Sequence, residues 1–194
     1  MKHLILLLII VGFFSCKNSK EQNPKYNAKA IELNNKAIKL LQNNKLDSAL
    51  ILFDHAIELD DNFYMPHSNK IGIYLRMKEY NKALFESEIV IKKKPDGAEG
   101  WFVAGILNEH QGNNKKAITY YKKSIKIFTD RINNPDKQKN INTNKLNLAL
   151  SKKFVGDESY IVDFNELREI EFYSVLVDNF IDKTKEEVMN ELIK

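Results

Sequence analysis

AIELNNKAIKLLQNNKLDSALILFDHAIELDDNF (residues 30–63), YMPHSNKIGIYLRMKEYNKALFESEIVIKKKPDG (64–97) and AEGWFVAGILNEHQGNNKKAITYYKKSIKIFTDR (98–131) follow one another without a gap, each 34 residues long. Shifted by that period, Asp47-Ser48-Ala49-Leu50 falls on Asn81-Lys82-Ala83-Leu84 and then on Lys115-Lys116-Ala117-Ile118. Phe53 falls on Ser87 and Tyr121, and Ala56 on Val90 and Ser124. A fixed period of this size marks one supersecondary unit stacked on its own copies, because a single unit cannot bury its apolar face alone.

Each copy reads as two amphipathic helices. In the first, Leu33, Ala37, Leu40 and Leu41 recur at helical spacing before a break at Gln42-Asn43-Asn44-Lys45, where asparagine tolerates the left-handed geometry of a helix end. Asp47 is the expected N-cap of the second helix, which places Ala49, Leu50, Phe53, Ala56 and Ile57 on one face. The second copy keeps this plan with Ile71, Tyr74 and Leu75, a turn at Met77-Lys78-Glu79-Tyr80, and Ala83, Leu84 and Val90; Pro95 stops its last helix. The third has Trp101 and Gly105, a turn at Gln111-Gly112-Asn113-Asn114, then Ala117, Tyr120, Tyr121 and Ser124.

Trp101, Gly105, Gly112, Ala117 and Tyr121, with Ala49, Phe53, Ala56, Ala83 and Pro95 in matching columns, resemble the tetratricopeptide repeat over 30–131. That resemblance implies an all-α fold: a right-handed α-solenoid of helical hairpins closed by a C-terminal helical cap. Small residues at Ala37, Ala49, Ala83, Gly105 and Ala117 would let helix backbones approach, with Phe53 and Tyr121 filling the space beside them. Two positions depart from the pattern: Ile71 stands in a small-residue column, and Asp61 where Pro95 stands one copy later.

Outside the repeats the chain divides into three further parts. Residues 1–15 place Lys2 before the apolar run Leu4 to Phe14, which is too short to span a bilayer but suits a secretory signal. The chain's single cysteine, Cys16, follows Ser15 at its end, and the arrangement resembles a bacterial lipoprotein signal, with Phe13 where a leucine is usual. The resemblance implies acylation at Cys16 and anchorage in the cell envelope; no aspartate follows Cys16, which in the enteric rule points to the outer membrane. Two or three acyl chains would hold the protein at a bilayer, where one would not. Residues 16–29 read as a flexible polar tether and 132–194 as a degenerate fourth repeat with capping helices. In that last part Leu146, Ala149, Leu150 and Phe154 form a helix face ending at Gly156-Asp157, and Thr184 with Glu187 has capping-box spacing.

Charge is unevenly distributed. Residues 16–156 carry 25 Lys and Arg against 15 Asp and Glu, whereas residues 157–194 carry 4 against 11. A basic body with an acidic tail can satisfy its own field by folding back or by pairing between copies, so homo-oligomers are compatible with this pattern. The lysines at 92–94 and at 115, 116, 122, 123 and 126 read as solvated faces, with anionic lipid head groups the next reading; no nucleic acid is expected, since an exported chain has little access to it.

No catalytic or metal-binding constellation is present in the sequence. His55 and Glu58 are three apart on a helix, but one pair does not hold an ion, and there is no Gly-rich phosphate loop, HExxH or GxSxG. The chain is therefore expected to be non-enzymatic, without cofactor. In tetratricopeptide folds the first helix of each repeat lines a concave groove. Carried over, that resemblance names Asn34, Ile38, Gln42, Met65, Ser68, Asn69, Arg76, Glu99, Phe102, Ile106, Glu109 and His110. The family's clamp for a terminal carboxylate falls on Asn34, Ile38, Asn69, Glu99 and Val103; only Asn69 matches, and Glu99 would repel a carboxylate. Ile38, Met65, Phe102 and Ile106 instead suggest an apolar stripe for a peptide or helix, with the chain's own C-terminal helix as the competing occupant. The expected function is a lipid-anchored adaptor on the periplasmic or outer side of a bacterial envelope, binding other envelope proteins or peptides. The alternative is an accessory subunit for a ligand such as a glycan, which would need clustered aromatics where Trp101 reads as a packing residue.

Overall fold

The computed structural model describes residues 26–134 and 140–193. Among them are ten helices: α1 Ala28–Gln42, α2 Leu46–Leu59, α3 Tyr64–Arg76, α4 Tyr80–Lys93, α5 Ala98–His110, α6 Asn114–Ile132, α7 Ile141–Val155, α8 Tyr160–Arg168, α9 Glu171–Phe180 and α10 Lys185–Leu192. Contacts divide the chain into two compact units at Pro95–Asp96. In the first, α1 pairs with α2 and α3 with α4, and α2 packs on α3; in the second, α5 pairs with α6, α6 packs on α7, α7 on α8 and α8 on α9. The all-α hairpin fold expected from the period is the observed one. Residues 1–25, including the signal-like run and Cys16, lie outside the described residues.

The three repeat hairpins turn by the same device. Asn44, Lys78 and Gly112 have φ of 56°, 58° and 81°, and they stand 34 residues apart. One residue later, the amides of Lys45, Glu79 and Asn113 donate to the carbonyls of Leu40, Tyr74 and Asn108 at 2.9, 2.8 and 2.8 Å, closing each helix end. The left-handed position thus belongs to the turn, and the three copies fill it with residues of different fitness. Glycine accepts it without a Cβ penalty, whereas lysine is strained there. Lys78→Gly is expected to stabilise the fold by about 0.5–1 kcal/mol despite glycine's greater freedom in the unfolded chain. A raised urea midpoint at unchanged slope would show it; a lowered one would mean the Lys78 side chain contributes more than its backbone costs.

Helix starts are less uniform. Asn27 caps α1, its Oδ1 accepting from the amides of Lys29 at 2.9 Å and Ala30 at 3.3 Å, while the Tyr26 ring lies 4.8 Å from that of Phe63. Residues 26–29, expected in the tether, therefore belong to the folded body. α2 begins at Leu46 with Lys45 in the cap position, so Asp47 sits in the first turn rather than capping. Its carboxylate still faces the positive end of the helix dipole. Thr184 and Glu187 form the expected reciprocal box at the start of α10: the Glu187 amide donates to Thr184 Oγ1 at 3.2 Å, and the Thr184 amide to Glu187 Oε2 at 2.8 Å.

The seams are built from residues without bulk. Ala37, Ala49 and Phe53 cluster with Ile73 in the first unit, all with essentially no exposure. In the second, Gly105 brings α5 against the ring of Tyr121 on α6, and Ala117 is fully buried nearby in sequence. The intervening copy inverts the sizes, with Ile71 where the others have Ala37 and Gly105 and Ser87 where they have Phe53 and Tyr121; both are buried. Total volume across the seam is roughly kept by this exchange, which is the kind of swap a packed interior tolerates.

Candidate functional site

In the first unit α1 and α3 lie side by side, joined by the Asn69 side-chain amide donating to Asn34 Oδ1 at 2.9 Å. Both asparagines are buried, and each would lose a partner if the other were removed. Around this pair the other carried-over residues differ in access. Ile38 is half-buried against the Ala37, Ala49 and Phe53 cluster, and Met65 is half-buried against Ala30, Ala56 and Phe63. Ser68 is buried. Gln42 and Arg76, 34 residues apart at the C-terminal ends of α1 and α3, are exposed. Gln42 and Arg76, with the half-buried Ile38 and Met65, are therefore the reachable part of this face.

Behind it lies a buried ionic network that the periodic pattern does not disclose. His67 Nδ1 is 2.7 Å from Glu86 Oε2, Lys70 Nζ is 2.6 Å from Glu86 Oε1, and Lys70 Nζ is also 2.7 Å from Asp54 Oδ1. Burial is the strongest single influence on Glu86 and acts to raise its carboxyl. The hydrogen bonds from His67 and Lys70, with the Lys70 charge, outweigh it and hold Glu86 below the ordinary carboxylate range. For Lys70, too, burial is the largest influence and opposes the charge, and the bonds to Asp54 and Glu86 override it and raise the ammonium. A signal exists in the sequence: Glu86 falls on the α4 stripe Ala83, Ser87 and Val90, and a carboxylate on a core-facing stripe needs a cation.

The second unit corrects the expected apolar stripe. Phe102 is 2 % exposed and Ile106 3 %. The Phe102 ring lies 5.9 Å from that of Tyr121 and edge-on to that of Phe154 at 5.5 Å, and Tyr121 and Phe154 are 5.3 Å apart. α7, packed on α6, thus supplies the side chain that closes over Phe102, and these rings are core rather than an open groove. Glu99 pairs with Arg131 of α6 at 2.6 Å, so its charge is answered within the chain. Glu109 accepts the Tyr121 hydroxyl at 2.8 Å and pairs with Lys185 at the start of α10. Burial, aided by the Glu109 charge, pushes the Tyr121 phenol far above its usual range, keeping it a neutral donor. His110 is exposed in the last turn of α5. Lys185 therefore brings the beginning of the C-terminal helix to the end of α5, where a cation also suits the helix dipole. Trp101 packs edge-on against Tyr120 at 5.1 Å, the packing role expected of it.

Among the described residues no group of three or more His, Cys, Asp or Glu is gathered as for a metal ion, and no helix is long and apolar enough to cross a membrane. His55 and Glu58 are exposed on α2.

A family model described as the tetratricopeptide repeat matches residues 98–130, the hairpin of α5 and α6 in which Gly105 meets Tyr121. The fold is that of the tetratricopeptide repeat. A relative in Saccharomyces cerevisiae, small glutamine-rich tetratricopeptide repeat-containing protein 2, is 26% identical over 113 residues, covering 58% of this chain and 33% of its own length. The chain thus spans about a third of that curated relative. The Sgt2 TPR domain from Aspergillus fumigatus superposes with a TM-score of 0.52 at 16% identity, covering 69% of this chain and 83% of that one. YrrB, described as a TPR protein with an unusual peptide-binding site, superposes with the same TM-score of 0.52 at 16% identity, covering 84% of each chain. At these identities the solved structures share the fold.

Proposed function

We propose that the protein is a non-enzymatic adaptor, held at a bacterial envelope through an acylated Cys16, that binds an apolar-anchored peptide or helix of another envelope protein. The observation that carries the binding part is the face of α1 and α3. Half-buried Ile38 supplies an apolar contact, exposed Gln42 and Arg76 supply donors at the matching end of each helix, and the Asn34–Asn69 bond holds the two helices in register. The description of YrrB as a peptide-binding repeat protein is in keeping with this use of the fold. The anchoring part is supported by the sequence alone, from the apolar run ending at Ser15-Cys16.

Both parts are testable in cells. Cys16→Ser is expected to move the protein from the membrane to the soluble fraction; unchanged membrane association would overturn the anchor. Capture after mild crosslinking, read by mass spectrometry, is expected to return the same envelope partner for the wild type and for Phe102→Leu. Ile38→Glu combined with Arg76→Glu should reduce its recovery about tenfold or more, the effect of removing roughly 1.4 kcal/mol of binding. Equal recovery would place binding on another face.

A further inference from the structure

The outer face of α6 carries more positive charge than the helix can itself accommodate. At 100° per residue, Lys115, Lys122 and Lys126 fall on one exposed stripe, flanked by Lys116 and Lys123 on one side and by Ile118, which is 43% exposed, on the other. Lys122 and Lys126 are four apart, a like-charge spacing that costs helix stability, and Lys115 and Lys116 sit in the first turn against the positive end of the dipole. Asp130 is the single acidic residue of the helix. Lys116 and Lys123 lie over the rings of Tyr120 and Trp101 at 5.3 and 5.9 Å, which holds their stems against the surface and leaves the flank basic.

The same unit presents a surface of the opposite kind. On α9, Phe172 is 59% and Val175 64% exposed, three residues apart on one face. Glu171 and Asp178 fall on that face beside them, and Glu169 precedes the helix. The stretch from 157 to 194 has seven more acidic than basic residues. Part of that charge is answered within the chain, by the pairs Lys152–Asp163 at 2.6 Å and Lys145–Glu166 at 3.1 Å, which tie α8 to α7, and by Arg168–Asp178 at 2.8 Å, which ties α9 to α8. The α9 stripe and the α6 stripe both remain exposed in one unit, so neither covers the other within a chain.

We propose that the occupant of the α9 face is a second copy of this chain, docked head-to-tail. Phe172 and Val175 of one copy would rest on Ile118 of the next, with Glu169 and Glu171 meeting Lys115, Lys122 and Lys126. Apolar centre meets apolar centre and acidic rim meets basic rim, which is the arrangement that fixes orientation in protein interfaces. The contact joins two different surfaces, so it leaves one of each kind open on every pair and extends into longer assemblies. The patch is small, so the association is weak in solution and sensitive to salt.

Sedimentation velocity on the full-length chain in mild detergent tests this. Mass should rise with concentration up to about 200 μM at ~50 mM NaCl, and the association should weaken about tenfold or more at ~500 mM. Lys122→Glu with Lys126→Glu should leave a monomer, and so should Phe172→Ser with Val175→Ser, each with unchanged helicity because these positions are exposed. Mixed in equal amounts, the two variants should form a 1:1 dimer and nothing larger, since each keeps one intact face of the opposite kind. A wild type that stays monomeric, a variant that assembles as the wild type does, or a mixture that fails to dimerise would each overturn the proposal. So would a monomeric wild type whose α6 lysines instead bind vesicles of phosphatidylglycerol, which would assign that stripe to lipid.

Discussion

Replacing Gly105 by alanine is expected to destabilise the fold by about 2–3 kcal/mol, although alanine is the better helix former. A Cβ at position 105 would stand 2.6 Å from Cδ1 of Tyr121 and closer still to Cε1, well inside any real contact. A clash of that kind is cheap only where the struck atom can swing away. The Tyr121 ring has no exposure, packs against both Phe102 and Phe154, and is tied at its far end by the hydroxyl bond to Glu109. Either α5 must lift from α6 or three rings must repack. Gly72 provides the internal control. It lies within α3, and a Cβ there meets nothing within 4 Å, so Gly72→Ala should gain about 0.5–1 kcal/mol from helix propensity alone. Urea unfolding of the two variants should therefore move in opposite directions at similar slope. A Gly105→Ala protein as stable as Gly72→Ala would show that the seam is loose, and would remove the physical reason for glycine at that position.

The same residues mark how far the amino-acid sequence discloses the fold. The period, the left-handed turn positions at Asn44 and Gly112 and the small-residue seams are local properties, and each is written in residue type: asparagine or glycine where φ is positive, alanine or glycine where backbones approach. Lys78 in the equivalent turn is legible only by register, because nothing about lysine itself signals positive φ. What the pattern does not give is which apolar face another element covers. Phe102 and Ile106 sit where a repeat of this kind shows its inner surface, yet Phe154 closes over Phe102 from a helix that lies beyond a break in register. A hydrophobic stripe records that something covers it and is silent about what does. The Asn34–Asn69 bond escapes the sequence for a related reason, since a polar residue on an inner face looks the same whether it is spent on a neighbour or held open for a ligand.

Glu86 is where burial and charge are most sharply opposed, and Glu86→Ala is expected to cost about 3–5 kcal/mol, the range seen when one partner of a buried pair is removed. The carboxylate takes His67 on one oxygen and Lys70 on the other; without it, Lys70 keeps the ion pair with Asp54, whose side chain is about half exposed and whose pairing is correspondingly weakened by water, and a place over the Tyr74 ring at 5.9 Å. His67 then loses the partner of its Nδ1 in a site where its Nε2 already has none within the described residues. Replacing His67, Lys70 and Glu86 together by leucine should cost far less than Glu86→Ala, because no charge is then left stranded. If the triple variant were the less stable of the two, the network would be a net source of stability rather than a specificity device. The pH dependence follows from the directions of the shifts. Glu86 is held below its unfolded value, so its contribution is present above the ordinary glutamate range and is lost as pH falls through the lowered folded value. Lys70 is held above its unfolded value, so its contribution is present below the ordinary lysine range and is lost as pH rises through the raised folded value. Stability from the network should therefore be level between about pH 5 and pH 9 and fall on both sides. Glu86→Gln should remove the Glu86 share of the acid limb while leaving a reduced alkaline one, since Asp54 still supports the Lys70 charge. An unchanged acid limb in that variant would assign the acid sensitivity of the fold to other carboxylates.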